Sequence, residues 1–243
     1  MHSMVNDDGT ATAERHGTAT SESSGSATGG AATDGAATGK VKGRPRGRPR
    51  SFDRETALEK ALLAFWDHGY EATSVSDLTR VMDIGAPSLY AAFGDKQSLF
   101  EEVVQVYGAR YGSFTDRALA EEPTARDAVE RMLREAATAY TEAGHPHGCL
   151  VVHAAANCST PEVEQSLRDR RNANIAAFES RIRADVAAGV LPPGTDVAAL
   201  ARHTGAMIQG MSQQARDGAS REELEAVAEI AMSIWPRTGT HTG

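Results

Sequence analysis

Apolar residues recur at helical spacing through most of the chain, and the alternating runs typical of β-strands are rare. In the first such segment, residues 54–68, five apolar side chains fall on one helix face. They are Leu58, Ala61, Leu62, Phe65 and Trp66. Asp53 before this segment and Gly69 after it are residue types that begin and end helices. The pattern predicts an all-α protein whose first helix ends at His68.

Two short helices separated by a tight turn follow. Ser74, with Asp77 three residues later, forms the capping-box pattern that opens an amphipathic helix. A break at residues 83–85 separates it from a second helix over residues 86–93. Pro87 is tolerated there because the first turn of a helix has no internal acceptor for the missing N–H. The spacing predicts a helix-turn-helix, whose second helix would enter a DNA major groove.

Helical periodicity continues beyond this unit in a fourth helix from about Asp95 and in five later segments. These segments begin near Pro123, Cys149, Pro161, Val197 and Arg221. The last two, over residues 197–216 and 221–235, combine apolar stripes with small residues that permit close helix approach. We therefore expect an N-terminal three-helix unit followed by a larger helical domain.

The net charge of −8 argues by itself against a nucleic-acid partner, but the charge is unevenly distributed. Residues 1–39 are an Ala/Thr/Gly/Ser tract that cannot bury enough apolar surface to order itself, which predicts a disordered tail. Residues 40–50 hold six bases and no acid. The helix-turn-helix region, residues 51–112, holds ten acids and five bases. The positive charge thus lies directly before the predicted DNA reader.

This basic arm, KVKGRPRGRPR, contains Gly-Arg-Pro-Arg twice in succession. Pro keeps the chain extended, and Gly lets it approach another surface closely. Its four arginines, which suit a narrow A·T minor groove, are Arg44, Arg46, Arg48 and Arg50. The repeated core resembles the AT-hook motif. The alternative is a generic basic linker that gains nonspecific affinity by counterion release.

The segments FWDHGYEATSVSDL and SLYAAFGDKQSLF, within residues 65–107, resemble the DNA-binding domain of TetR-type (TetR/AcrR) transcriptional regulators. The resemblance covers about sixty residues closely and implies a helical effector-binding and dimerisation domain after them. It divides the chain into a tail (1–39), the arm (40–50), the DNA-binding domain (51–96), the effector-binding and dimerisation domain (97–236) and a C-terminal tail (237–243).

The resemblance also implies the DNA-contacting residues. Phosphate contacts are expected from Thr73, Ser74, Tyr90 and Lys96. The recognition helix would present Ala86, Pro87, Ser88 and Ala92. These small side chains can contact thymine methyls but offer no bidentate base readout, unlike the larger residues that many relatives carry. The alternatives are a core role for the Tyr90 ring and a solvated surface charge for Lys96.

A small, partly hydrophobic effector and a homodimer through the last two helices are further implications of the resemblance. The amphipathic faces predict six residues that line a cavity, although core packing is an alternative for each. They are Tyr107, Tyr111, Tyr140, His153, Phe178 and Met207. Packing within one chain is the alternative for the last two helices. Two recognition helices related by a two-fold axis would read a palindromic operator on double-stranded DNA, and effector binding would release it.

No arrangement of residues predicts catalysis, a cofactor or a membrane span, and we expect a cytoplasmic regulator, a repressor as is usual in this family, rather than an enzyme. Cys149 and His153, at i and i+4, could share a helix face and hold a metal with a loop His, but a small buried thiol is favoured. Two alternative functions stay open. One is an architectural binder of A·T-rich DNA without an effector, and the other is a thiol- or metal-responsive regulator.

Overall fold

The computed structural model describes residues 52–236, which form ten α-helices and no β-strand. The helices are α1 Arg54–Ala72, α2 Val75–Met82, α3 Ala86–Phe93, α4 Lys96–Arg110, α5 Phe114–Glu121, α6 Ala125–Thr141, α7 Leu150–Ala155, α8 Pro161–Ala187, α9 Val197–Arg216 and α10 Arg221–Ser233. The predicted all-α class is confirmed. The predicted tails and the basic arm lie outside the described residues.

The helix-turn-helix has the predicted local structure. Ser74 and Asp77 form a reciprocal capping box at the start of α2. Asp83 ends α2 in the left-handed conformation, at φ 57° and ψ 44°, which Asp tolerates better than most residues. Gly85 precedes α3 without a side-chain cap, and Pro87 lies in the first turn. The left-handed Asp83 and the extended Gly85 form the turn between α2 and α3.

The first helix does not end at His68 as predicted. Gly69 interrupts it at φ 80° and ψ 174°, but the chain forms one more turn to Ala72. The hydroxyl of Thr73 closes this turn by donating to the Gly69 carbonyl at 2.7 Å. The interruption leaves carbonyls without helical partners, and the Arg216 guanidinium at the end of α9 donates to those of Trp66 at 3.2 Å and Asp67 at 2.9 Å. The predicted end of α1 is therefore the place where α1 is hydrogen-bonded to the end of α9.

One helix was not predicted, and another ends earlier than predicted. Helix α5 was not predicted, because two buried apolar residues one turn apart, Phe114 and Ala118, are too few to establish a periodic pattern. Helix α10 ends at Ser233, so Trp235 lies just beyond it, where its side chain is still buried.

Two hydrophobic cores hold the helices together. One core combines α1–α4 with α7 and the first half of α8, where Leu150, Val163 and Leu167 are fully buried. The other combines α5, α6, the rest of α8, α9 and α10. The first core continues past residue 96, because α7 packs against α1. The packing therefore crosses the predicted domain boundary between residues 96 and 97.

A single carboxylate joins α1 to α8. Glu71 Oε1 accepts hydrogen bonds from the backbone N–H groups of Ser159 and Thr160, both at 2.8 Å, and from both hydroxyls at 3.1 and 2.9 Å. Thr160 makes no capping bond to α8 with its own side chain. Glu71 therefore anchors the N-cap residue of α8 and the residue before it, so that a residue of α1 fixes the start of α8.

Candidate DNA interface and effector cavity

Helix α3 presents one face to the core and the opposite face to solvent. Leu89 and Phe93 are buried, whereas the Tyr90 side chain is 50% exposed. The predicted recognition residues Pro87 and Ser88 are exposed, and Ala86 and Ala92 are partly exposed. The core alternative for Tyr90 does not fit this exposure. The accessible face matches the one that the sequence nominates for DNA.

The predicted phosphate contacts around α2 are less available than expected. Thr73 is fully buried, with its hydroxyl bonded to Gly69, so its side chain is not presented to a phosphate. Ser74 is exposed, but its hydroxyl already donates to Asp77 Oδ2 at 2.6 Å and accepts from the Asp77 N–H at 3.1 Å. The hydrogen bonds from Ser74 hold the pKa of the Asp77 carboxyl below its usual range. The sequence pattern marked Ser74 and Asp77 as a capping box but gave no sign that Thr73 is buried.

Lys96 opens α4, but its ammonium does not project freely into solvent. Nζ lies 4.1 Å from the centroid of the Tyr70 ring, in a cation–π arrangement. Partial burial lowers the pKa of Lys96 below its ordinary value. A phosphate contact from Lys96 would require this side chain to leave the ring or to be approached beside it.

The other cations of the folded reader are mostly neutralised. Arg54 pairs with Glu102 at 2.6 Å, and Arg110 pairs with Glu55 and Glu59 at 2.7 Å. Arg80 pairs with Asp77. Because these guanidinium groups already have carboxylate partners, the reader offers little free positive charge to a phosphate backbone. Arg44, Arg46, Arg48 and Arg50, which would supply that charge, lie outside the described residues.

A cavity of about 420 Å³ lies between α4, α5, α6, α7, α8 and α9. Three of the six nominated lining residues, Tyr107, Tyr140 and Phe178, line it. Tyr111 instead lines a smaller neighbouring cavity of about 300 Å³, together with Trp66 and His145. The apolar periodicity thus located the cavity but did not separate it from its neighbour.

The other two nominated residues, His153 and Met207, line neither cavity. His153 faces α1 near Gly69, and burial lowers the pKa of its imidazole. Its Nε2 is buried without a hydrogen-bond partner among the described residues. Met207 packs against the second hydrophobic core. Helical spacing could not make this distinction, because core-facing and cavity-facing positions have the same period.

Cys149 lines the larger cavity, which Tyr107 and Tyr140 also line. Burial raises the pKa of the thiol, which disfavours the reactive thiolate. Cys149 also precedes α7 in extended conformation, so it does not share a helix face with His153 as the i, i+4 spacing suggested. Between residues 52 and 236, no three His, Cys, Asp or Glu side chains are placed to hold a metal ion.

Several polar cavity residues were missed by the sequence analysis. Arg171 and Asn174 on α8 and Gln209 on α9 line the cavity beside apolar neighbours. Gly205 brings the two helices together, because a Cβ there would lie 2.9 Å from Ile175 Cγ1. In sequence, Arg171 belongs to a run of charged residues typical of a solvated helix face. Only the packing of α9 over α8 distinguishes it.

Comparison with known proteins bears on this architecture. Residues 57–103 match the model of the family described as bacterial regulatory proteins, tetR family. The HTH-type transcriptional repressor ComR of Escherichia coli (strain K12) is 36% identical over 191 residues, which cover 76% of this chain and 90% of ComR. This chain belongs to the TetR family. It carries the family's DNA-binding helix-turn-helix and a helical C-terminal domain.

Two further TetR-family relatives extend the comparison. The transcriptional repressor BdcR of Escherichia coli (strain K12) is 33% identical over 181 residues, covering 74% of this chain and 87% of BdcR. A cysteine-substituted form of the TetR family regulator CifR, solved in complex with 26-bp double-strand operator DNA, is 43% identical. It matches with a TM-score of 0.73 over 78% of this chain and 100% of CifR. No helix between residues 52 and 236 is long and apolar enough to span a membrane.

Proposed function

We propose that this TetR-family protein is a cytoplasmic, homodimeric transcriptional repressor that binds a palindromic operator and is released from it by a small-molecule effector. The observation that carries the proposal is the similarity to CifR, whose structure contains operator DNA and whose whole chain is matched. The printed descriptions of ComR and BdcR as transcriptional repressors support the direction of regulation.

Exposed apolar residues on α10 support the dimer. Val227, Ile230 and Ile234 have exposed fractions of 37%, 72% and 58%, and their spacing of three and four residues places them on one face. Large apolar side chains grouped in this way are typical of protein–protein contact sites. The small residues of α9 and α10 pack within the chain itself, because Ala201, Gly205 and Ala231 are already buried in it. The dimer contact would therefore lie on the opposite, exposed face of α10.

Helix α4 supports coupling between effector and DNA. Lys96 at its start lies beside the reader, while Val104 and Tyr107, about two and three turns later, line the cavity. The hydrogen bonds of Glu71 with Thr160 and of Arg216 with Asp67 link α1 to α8 and α9, two helices of the cavity wall. A ligand that favours another arrangement of these helices would change the separation of the two recognition helices and lower DNA affinity.

A genome-wide binding map of the tagged protein, combined with transcript levels in a strain lacking it, tests this function. We expect a few discrete sites that share a palindrome, and increased transcription of the adjacent genes in the deletion strain. Binding spread across A·T-rich DNA without a common palindrome would contradict the proposal and favour the architectural alternative.

A further inference from the structure

Arg171 on α8 is a partly buried cation. Its Nη1 is inaccessible to solvent and has no hydrogen-bond partner among the described residues. The side chain lines the cavity between helices α4 to α9. Burial lowers the pKa of the guanidinium, yet Arg stays charged under ordinary conditions. Arg171 therefore brings a positive charge to the cavity wall and makes no ion pair with a carboxylate among the described residues.

The neighbouring carboxylates do not neutralise it. Glu164, about two turns before Arg171 on α8, pairs with the exposed Arg168. Arg170, the other cation of the wall, has Glu101 at 3.6 Å. Asp116 also lines the cavity but is exposed on α5 and makes no ion pair with Arg171 among the residues described. Since a partly buried cation gains from a nearby counterion, an anionic group from outside the chain would lower the free energy of the occupied state.

The remainder of the cavity defines the body of such a ligand. Phe178, Ile175, Ile208 and Val104 provide apolar wall, and Asn174 and Gln209 add amide groups that can donate or accept hydrogen bonds. A volume of about 420 Å³ falls within the range of small-molecule pockets. One charged anchor within a mostly apolar wall suits a molecule with a single acidic group and a compact hydrocarbon part.

We propose that the effector is a small organic carboxylate, whose carboxylate pairs with Arg171 while its apolar part packs against Phe178 and the α8–α9 wall. This inference deepens the proposed effector function and rests on it only for the consequence at DNA. The fork of a guanidinium matches a carboxylate with two parallel N–H···O bonds, which gives both affinity and orientation.

The test compares two probes of equal size on the full-length protein: 3-phenylpropanoate and its neutral amide, 3-phenylpropanamide. Calorimetry measures binding, and fluorescence anisotropy measures release of operator DNA. The site variant is Arg171→Gln. The matched control is Arg168→Gln, which removes the same charge one turn away on the exposed face of α8. Arg171→Lys, which keeps the charge but loses the fork, provides a second site variant.

We expect wild type and Arg168→Gln to bind the carboxylate about 10- to 100-fold more tightly than the amide, as a charge-assisted hydrogen-bonded pair provides. Arg171→Gln should lose this preference, and Arg171→Lys should keep only part of it. Equal binding of both probes to wild type, binding of neither, or an undiminished preference in Arg171→Gln would overturn the inference.

The two readouts separate this inference from the proposed function. Carboxylate binding that depends on Arg171 but leaves the operator complex intact would support the anion site and contradict the effector role. Release of the operator by the amide with the same potency as by the carboxylate would support an effector-responsive repressor and overturn the anionic class.

Discussion

At the scale of single residues, the predicted DNA-facing surface of α3 offers one exposed aromatic, Tyr90, and otherwise small side chains. The exposed face of α3 carries Tyr90 among Pro87, Ser88 and small alanines, so its hydroxyl is the largest polar group that this helix can offer. Small side chains recognise DNA mainly through shape and methyl contacts. Specificity would then depend on how precisely the two readers of a dimer are spaced.

Tyr90→Phe tests the role of this hydroxyl. We expect operator affinity to fall about 3- to 10-fold, because one hydrogen bond to a phosphate is lost, while the unfolding midpoint stays unchanged. Thr73→Ala provides the contrast, since it removes the buried bond to Gly69 and should lower the unfolding midpoint. Fluorescence anisotropy and thermal unfolding distinguish the two outcomes. A loss of stability in Tyr90→Phe without loss of affinity would show that the tyrosine is structural.

At the scale of helices, the joint between α1 and α8 depends on the ionised state of Glu71. Four donors from Ser159 and Thr160 lower the pKa of Glu71 from its ordinary 4.5 to about 2. A carboxyl with a lowered pKa stabilises the fold fully above its unfolded value and loses that contribution as the pH falls toward the folded value. The joint should therefore weaken between about pH 4.5 and pH 2.

Glu71→Gln should destabilise the protein at pH 7 by about 1 kcal/mol, a modest amount because solvent screens this exposed carboxylate. Near pH 2.5, where the wild-type carboxyl is losing its charge, the difference from wild type should shrink. Denaturant unfolding at both pH values measures this difference in the free energy of unfolding. Glu162→Gln, in the first turn of α8, is the control. A difference that stays constant with pH, or one that the control reproduces, would count against the role of Glu71 at the start of α8.

The sequence predicted most helices and the caps at Asp53, Ser74 and Asp77, because these features depend on neighbours in the chain. It failed where distant elements decide the outcome. The extra turn after Gly69 is closed by Thr73 and its carbonyls are taken by Arg216, a residue about 150 positions later. Such partners leave no periodic trace in either segment.

The candidate site shows the same limit. Tyr107, Tyr140 and Phe178 were predicted because cavity walls are apolar, as cores are. Arg171 lies in a charged run typical of a solvated helix face but lines the cavity, whereas His153 was nominated for the cavity but faces α1. Polar residues are recognised as functional only once the packing shows which of them are enclosed.

At the scale of the whole molecule, the α10 surface should hold two copies together. Ile230→Asp places a charge at the centre of the exposed stripe and should convert the dimer to a monomer with an unchanged helical content. Sedimentation at micromolar concentration and circular dichroism measure these properties. Ala120→Asp adds the same charge to an exposed position on α5 and should leave the dimer intact. A dimeric Ile230→Asp would place the contact elsewhere.

The second feature of the whole molecule is the distribution of charge between the helix-turn-helix region and the basic arm. The reader is net negative and its arginines Arg54, Arg80 and Arg110 are paired with carboxylates. The predicted roles are therefore divided: the helix-turn-helix sets position and register, and the basic arm of residues 40–50 supplies attraction to the phosphate backbone. A chain that begins at Ser51 should bind any duplex more weakly and with a flatter salt dependence.

The most direct measurement of the central claim is the affinity of the full chain for its selected palindrome and for a scrambled duplex of the same base composition, each titrated with salt. At about 0.15 M salt, a sequence-specific dimer should prefer the palindrome by about 10³-fold or more, while both affinities fall as salt rises. Equal affinity for the two duplexes at every salt concentration would contradict a sequence-specific repressor and identify an architectural DNA binder.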